Sequence, residues 1–267
     1  MNPFSIPLDA GGFAVFVVAG LLTGIINTLA GSGSLVTLPI FQFMCGLPAT
    51  VANGTNRVGV ILQSAVAVWS FDRHGNVDFK GAVWLIVPSV IGSIIGAGLA
   101  SVTGEREMDM AIGFLMVFML FVLFFQPKNF LKPSEASLSN NRKPSTLIIF
   151  FLIGIYGGFI QAGVGIFLLA ALVLAAKYDL IKGNGVKSLA VVVFNIPAII
   201  IFAWQNKVHW GLGFTMAICQ ATGALIGARF ANKFPNANTY IRYLLMVIVV
   251  ASAAKYLGLY DWLLENV

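Results

Sequence analysis

Two short stretches concentrate the groups able to hold a small anion. Asn53-Gly54-Thr55-Asn56-Arg57 and, 131 positions on (53 to 184), Asn184-Gly185-Val186-Lys187-Ser188 each combine amides, a hydroxyl and a cation, and each follows a short apolar segment and opens a long one. Amide and hydroxyl side chains cap a helix start or hydrogen-bond an oxyanion, while a guanidinium or ammonium supplies the countercharge. An ionisable group within an apolar run is a functional candidate by default. The plainer account is snorkelling, because both cations lie within a turn of a segment end and can reach lipid head groups. That account suits Lys187 better than Arg57, which falls on the cation-poor side of the chain.

Each stretch is preceded by a Gly/Ser-rich interruption. Ala30-Gly31-Ser32-Gly33-Ser34 and Ala162-Gly163-Val164-Gly165 stand just after the amides Asn27 and Gln161. Interrupted backbone at membrane depth is tolerated only where protein or a wet cavity satisfies its N–H and C=O groups. The N–H groups at a half-helix start carry partial positive charge, so a pair of such starts can clamp one anionic head group. The alternative is that the glycines allow tight helix crossing and the breaks are ordinary loops. Catalytic chemistry has little to stand on. All ten acids lie at segment ends or in loops, as do His74 and His209, and no Walker-type loop or metal-ligand spacing occurs. Cys45 and Cys219 lie singly in apolar segments, which indicates neither a disulfide framework nor a metal centre. No cofactor is expected.

The elements that must position these groups follow from composition. Only 10% of the residues are charged and 58% are hydrophobic, against roughly 25% charged in a soluble domain, so the expected partner is the lipid bilayer. The formal charge of +6 sits at the ends of apolar runs rather than in a stripe, which argues against nucleic acid. The N-terminus lacks a basic n-region, so Phe13 onward reads as a retained span. Apolar runs cover 13–29, 35–45, 53–71, 81–102 and 108–125, then 145–161, 166–176, 184–204, 210–231 and 239–256. The second run of each series is about 11 residues, roughly 16 Å as helix, which is half of what a 30 Å core needs. The only segment composed like a linker is 126–144, dividing the chain into a first repeat (1–125) and a second (145–267).

Internal matches support a duplication. Gly92-Ser-Ile-Ile-Gly96-Ala97 pairs with Gly223-Ala-Leu-Ile-Gly227-Ala228 at an offset of 131 (92 to 223). Gly24-Ile-Ile-Asn27 with Gly31 pairs with Gly158-Phe-Ile-Gln161 with Gly165 at an offset of 134 (24 to 158). The Gly92/Gly96 and Gly223/Gly227 spacing predicts close helix packing, within the chain or across a homodimer. If each half crosses five times, all Lys and Arg but Arg57, Arg106, Lys207 and Lys255 fall on one face, that is 12 of the 16; four crossings split them evenly. The positive-inside bias favours five, an odd number that inverts the second half relative to the first and places both termini outside, and a hairpin that enters and exits without crossing gives the same count.

In their order and duplication these residues resemble the sulfite exporter TauE/SafE family, especially its YfcA-like branch. The resemblance runs from about Phe13 to Tyr256. It is carried by Gly24, Asn27, Ala30-Gly31-Ser32-Gly33 and Pro39, by Ala52 to Arg57, by Gly158, Gln161 and Gly165, by Gly185-Val186-Lys187, and by Gly223, Gly227-Ala228-Arg229. It implies a multispanning bacterial inner-membrane transporter of organosulfur or sulfur oxyanions such as sulfite or sulfoacetate, often an exporter. The chain departs from the family pattern in carrying Ser32 and Ser34 among the glycines, amides at Asn27 and Gln161 where YfcA-like members carry Asp, and Arg57 where they carry Lys. Loss of those acids suits an anion site.

The expectation is therefore an all-α polytopic membrane protein of two inverted repeats, each of about five helical segments. A small anion would be held by Asn27, Gly31, Ser32, Gly33, Asn53, Thr55, Asn56, Arg57, Gln161, Gly163, Gly165, Asn184, Lys187 and Ser188. Transport by alternating access is the leading mechanism. A passive anion channel and a non-transporting scaffold subunit are the rivals.

Overall fold

The computed structural model describes Phe4, Ile6 and residues 8–125, 143–231 and 237–256. Most of the expected linker, and the C-terminal end from 257 with Trp262, lie outside the described residues. Those residues form ten helices and no strand: α1 (Ala10–Ala30), α2 (Ser34–Pro39), α3 (Ala49–Asp72), α4 (Phe79–Val102), α5 (Glu105–Phe125), α6 (Pro144–Phe159), α7 (Val164–Leu174), α8 (Leu180–Trp204), α9 (Trp210–Ala231) and α10 (Ala237–Tyr256). Five stretches are long and apolar enough to cross a membrane: Ala10–Thr28, Phe79–Val102, Glu105–Phe124, Leu180–Trp204 and Trp210–Gly227. The chain is a multi-pass membrane protein.

The short segments have a local cause. Pro39 lacks an N–H and cannot continue an α ladder, and the chain widens into a π turn at Ile40–Met44, where the Cys45 N–H reaches Ile40 O at 3.1 Å. Together α2 and this turn cover 34–44, and α7 covers 164–174. Each is a half-length piece, as the apolar runs predict. Two helix starts differ from the sequence expectation. α3 begins at Ala49, directly after Pro48, and α8 at Leu180, where the Asp179 side chain caps the N–H groups of Ile181 and Lys182. Asn53–Arg57 and Asn184–Ser188 therefore lie inside helices rather than opening them. The small polar residues ahead of each apolar run were readable as a break, yet they are helical because tertiary packing buries them.

Packing is reciprocal between the halves. α1 lies along α9 and α4 along α6, while α3 crosses α8 and also packs on α9, as α8 packs on α4. Close approach requires glycine at matched points. A methyl on Gly92 would stand 2.2 Å from Phe151 O and one on Gly154 2.3 Å from Ser89 O. In the other pair, a methyl on Gly223 would stand 2.1 Å from Leu21 O and one on Gly24 2.2 Å from Gln220 O. The same exchange links Gly54 to Lys207 O and Gly185 to Asn76 O. Such reciprocity, with i touching j′ where j touches i′, is the pattern a twofold relation produces. Both small-xxx-small pairs are thus used within the chain.

These contacts also correct the register at the start of each half. Gly24 takes the place of Gly154, Leu21 of Phe151 and Gly33 of Gly163, an offset of 130 (24 to 154) rather than 134. Asn27 therefore corresponds to Gly157, and Gln161 to Gly31. The 134 match rested on one glycine and one amide, which a four-residue slip along a helix reproduces, whereas backbone crossings fix register through several atoms at once.

Faces of the bundle follow from loop contacts. The loop before α4 meets the loop before α8 through the Tyr178 hydroxyl, which donates to Asp78 Oδ2 at 2.8 Å. At the opposite end the Glu105 carboxylate accepts from the Thr50 N–H at 3.0 Å and from the Thr50 hydroxyl, and the Lys207 ammonium donates to Ser101 O at 2.9 Å. α3 thus starts at the end carrying Glu105 and Lys207, and α8 at the end carrying Arg73, Lys80, Lys177 and Lys182.

Candidate functional site

Asn53, Asn56 and Arg57 project from one face of α3, and each is completely buried. Arg57 is the largest fully buried side chain among the described residues. Its Nη1 donates to Gly157 O at 3.1 Å and to Asn195 Oδ1 at 2.9 Å, its Nη2 donates to Gly158 O at 2.5 Å, and its Cζ lies 4.8 Å from the centre of the Phe202 ring. Asn53 Nδ2 donates to Phe159 O at 2.7 Å. All three carbonyls belong to the last turn of α6, where intrahelical donors have run out and the helix dipole is negative. A guanidinium with a fixed fork of donors fits that end as a cap supplied by a distant helix.

Some of the other residues singled out from the sequence also brace the fold, while Ser32 Oγ and Asn56 Nδ2 are buried with no hydrogen-bond partner. The Thr37 hydroxyl donates to Asn56 Oδ1 at 2.5 Å, tying α2 to α3. Thr55 Oγ1 accepts from the His209 N–H at 2.9 Å, just ahead of α9. The Gly33 N–H donates to Asn27 Oδ1 at 3.2 Å, Ser32 is buried within the break, and Gly163 adopts φ 71° as the N-cap of α7, a conformation that disfavours any residue with a Cβ.

A second group surrounds a cavity of about 40 Å³, room for roughly three waters. Asn27 and Gly31 from the first break, Gln161 and Gly165 from the second, and Asn184, Lys187 and Ser188 from α8 line it. The breaks meet there: a methyl on Gly165 would stand 2.5 Å from Gly31 O. Lys187 is the one charged side chain of the lining, with no Asp or Glu beside it. It is buried, and its Nζ donates to Asn184 Oδ1 at 2.7 Å, which leaves two ammonium protons available. The Ser188 hydroxyl donates to Asn184 O and Asn184 Nδ2 to Leu180 O, so α8 braces its own polar face.

Sequence reasoning missed the rest of the lining: Thr28, Ser34, Val60, Gln63, Ser64, Ala67, Phe71 and Val191. Four of these, at 60, 64, 67 and 71, repeat at helical spacing along α3. The available signal was Gln63-Ser64, a polar pair inside an otherwise apolar run. The structure brings together seven of the fourteen residues expected to hold a solute and places Ser32, Gly33, Asn53, Thr55, Asn56, Arg57 and Gly163 outside the cavity lining.

The comparisons with known proteins agree with the chain's character. The family model described as sulfite exporter TauE/SafE matches residues 16–256. Among curated relatives, the probable membrane transporter protein ORF9 of Sinorhizobium sp is 27% identical over 249 residues, covering 92% of each chain. The probable membrane transporter protein YfcA of Escherichia coli strain K12 is 26% identical over 243 residues, 91% of this chain and 88% of its own. The probable membrane transporter protein YdhB of Bacillus subtilis strain 168 is 24% identical over 226 residues, 83% of this chain and 89% of its own. No solved structure matches.

Proposed function

Because this chain belongs to the sulfite exporter TauE/SafE family, we propose that it is a secondary transporter exporting a small organosulfur or sulfur oxyanion across the bacterial inner membrane. The observation that carries the reading is a buried cation, Lys187, as the one charged side chain lining a small polar cavity where the two interrupted helices meet. A charge desolvated in this way interacts strongly with an opposite charge, and the amides and hydroxyls around it supply hydrogen bonds without adding a competing acid. Arg57 acts as the clamp on α6 rather than as a solute ligand, since three of its hydrogen bonds already go to protein oxygens.

The mechanism is alternating access between inverted repeats. What supports inversion is that the equivalent helices α3 and α8 begin at opposite ends of the bundle. The cavity reaches Phe71, near the end of α3 that meets Arg73 and Lys80, so it is directed toward the Lys-rich face, the cytoplasmic one under the positive-inside rule. The Arg57 clamp closes the other side. Both termini then lie in the periplasm. Transport of this kind makes and breaks no covalent bond, in keeping with relatives named as transporters.

Counterflow in proteoliposomes tests the reading. Vesicles loaded with unlabelled sulfite or sulfoacetate are expected to accumulate the labelled solute transiently, and Lys187→Ala to lower the initial rate on the order of tenfold or more. A passive channel gives no counterflow. Equal rates for wild type and Lys187→Ala would remove Lys187 from the solute site.

A further inference from the structure

At the end of the bundle where α3 starts, α5 opens with Glu105, Arg106 and Glu107, and Asp109 follows one turn in. Acids in a first turn complement the positive end of the helix dipole, an effect that fades beyond that turn. Glu105 is accounted for by its place, and Asp109 is not. Standing four residues apart, the two exposed carboxylates share one face of α5, where like charges repel. Glu105 is the charge that acts on Asp109, rather than Arg106 or Lys255. Two lysines of this end are engaged elsewhere: Lys255 lies over the Phe43 ring at 4.5 Å, and Lys207 donates to Ser101 O. Two buried oxygens at the same place lack partners. Gln42 is only 9% exposed, and its Nε2 donates to Asp109 Oδ1 at 2.8 Å, while its Oε1 accepts nothing. Both atoms sit on one amide carbon, so the unpartnered acceptor lies beside the carboxylate. The Tyr256 hydroxyl, at the end of α10, is likewise buried without a partner and within electrostatic reach of Asp109. Buried polar atoms rarely go unpaired, and two of them beside a carboxylate pair point to a ligand.

We infer that this outer end of α5 holds one hard divalent cation, calcium or magnesium, between the Glu105 and Asp109 carboxylates and the Gln42 amide oxygen. Carboxylate and amide oxygens are the ligands such ions take, with water completing the shell. Two carboxylates match two positive charges, and the ion between them relieves their repulsion. Glu105 keeps lone pairs for it: each of its oxygens accepts one hydrogen bond from Thr50, and a carboxylate has about four acceptor positions. What the ion joins gives it an effect on the moving parts. Gln42 belongs to the half-length piece 34–44, whose other end is Ser34 in the cavity lining, and Thr50 belongs to the first turn of α3. The cation fastens both to α5, on the side that the Arg57 clamp closes. It therefore favours the described state over the opposite opening, a consequence that rests on the transport reading, whereas the site itself does not.

Binding is measured on the purified, detergent-solubilised protein with chloride as the only anion, so failure of the site and failure of the proposed transport are distinguishable. After treatment with a chelator, calcium chloride or magnesium chloride is titrated in, and sodium chloride at equal ionic strength serves as the control. At least one of the two divalent ions is expected to raise Tm saturably, by roughly 2–5 °C at a tenfold excess over a Kd on the order of 10⁻⁴–10⁻³ M. Asp109→Asn is expected to weaken that binding at least tenfold. Gln42→Met, which keeps the length of the side chain and removes the amide oxygen, is expected to weaken it at least threefold, and it carries the test should Asp109→Asn not fold. Neither residue lines the cavity beside Lys187. A flat response to both divalent ions overturns the inference. So does a rise that sodium matches at equal ionic strength, or an affinity left unchanged in either variant.

Discussion

At the residue scale, the two cations that look interchangeable in the sequence do opposite work. Arg57 gives hydrogen bonds to two carbonyls of α6 and to Asn195 of α8, while Lys187 gives one to Asn184 and lines a cavity. Removing Arg57 leaves the carbonyls of Gly157 and Gly158 and the Asn195 side chain buried without their donor. Arg57→Ala is accordingly expected to cost about 3–5 kcal/mol, read as a lowered Tm of the purified protein. Arg57→Lys recovers only part of that, because a point charge cannot reproduce the fork. Lys187→Ala, lacking such a network, is expected to change Tm far less while reducing transport. If instead Lys187→Ala destabilises as much as Arg57→Ala, Lys187 is a brace as well. The sequence made both cations candidates, since each lies in an apolar run beside amides. It could not separate them, because the distinction lies in residues 100 and 138 positions away from Arg57 along the chain.

At the element scale, the fold depends on helices approaching until backbone touches backbone. On Gly92 a methyl group would meet Phe151 O at 2.2 Å, and neither helix can yield without parting α4 from α6. Gly92→Ala is expected to cost at least about 2 kcal/mol. Gly98, on the same helix, has nothing within 4 Å of its added methyl, so Gly98→Ala is expected to leave stability unchanged or raise it by about 0.5–1 kcal/mol through helix propensity. Chemical denaturation of the two variants side by side checks the contrast, and similar losses at both positions would deny the crossing its role. The Gly92/Gly96 and Gly223/Gly227 spacing was legible in the sequence as a packing surface. Its partners carry the same spacing, Gly154/Gly158 in α6 and Gly20/Gly24 in α1, but the spacing does not say which helix meets which. The recurrence of glycine at Gly154 and Gly158 is what allowed the four-residue slip in register, while the starts of α3 and α8 were hidden because residues such as Thr50 and Lys182 are too polar to extend an apolar run.

At the scale of the whole molecule, the segment series, the half-length pieces and the uneven distribution of cations were all readable from hydropathy and charge. The cavity was not, because α1, α3, α7 and α8 each contribute only a few residues to it and three of those helices look like plain spans. Its position now makes the access state testable. With the Arg57 clamp shut near the start of α3 and the cavity reaching Phe71 near its end, a thiol placed at Ser64 should be reached from the Lys-rich face alone. Cys45 and Cys219 are buried, so the background reaction of a membrane-impermeant maleimide is expected to be low. Ser64→Cys should label at least several-fold faster in inside-out vesicles than in right-side-out ones, as burial and sidedness require. Adding Arg57→Lys, which weakens the clamp without emptying it, should raise labelling from the outer face, because a looser hold on α6 shifts the population toward the opposite opening. Equal labelling from both faces in the single variant would mean a continuous pore. Labelling from the outer face alone would reverse the assignment of the described state, and with it the inference that Arg57 holds the outer side closed.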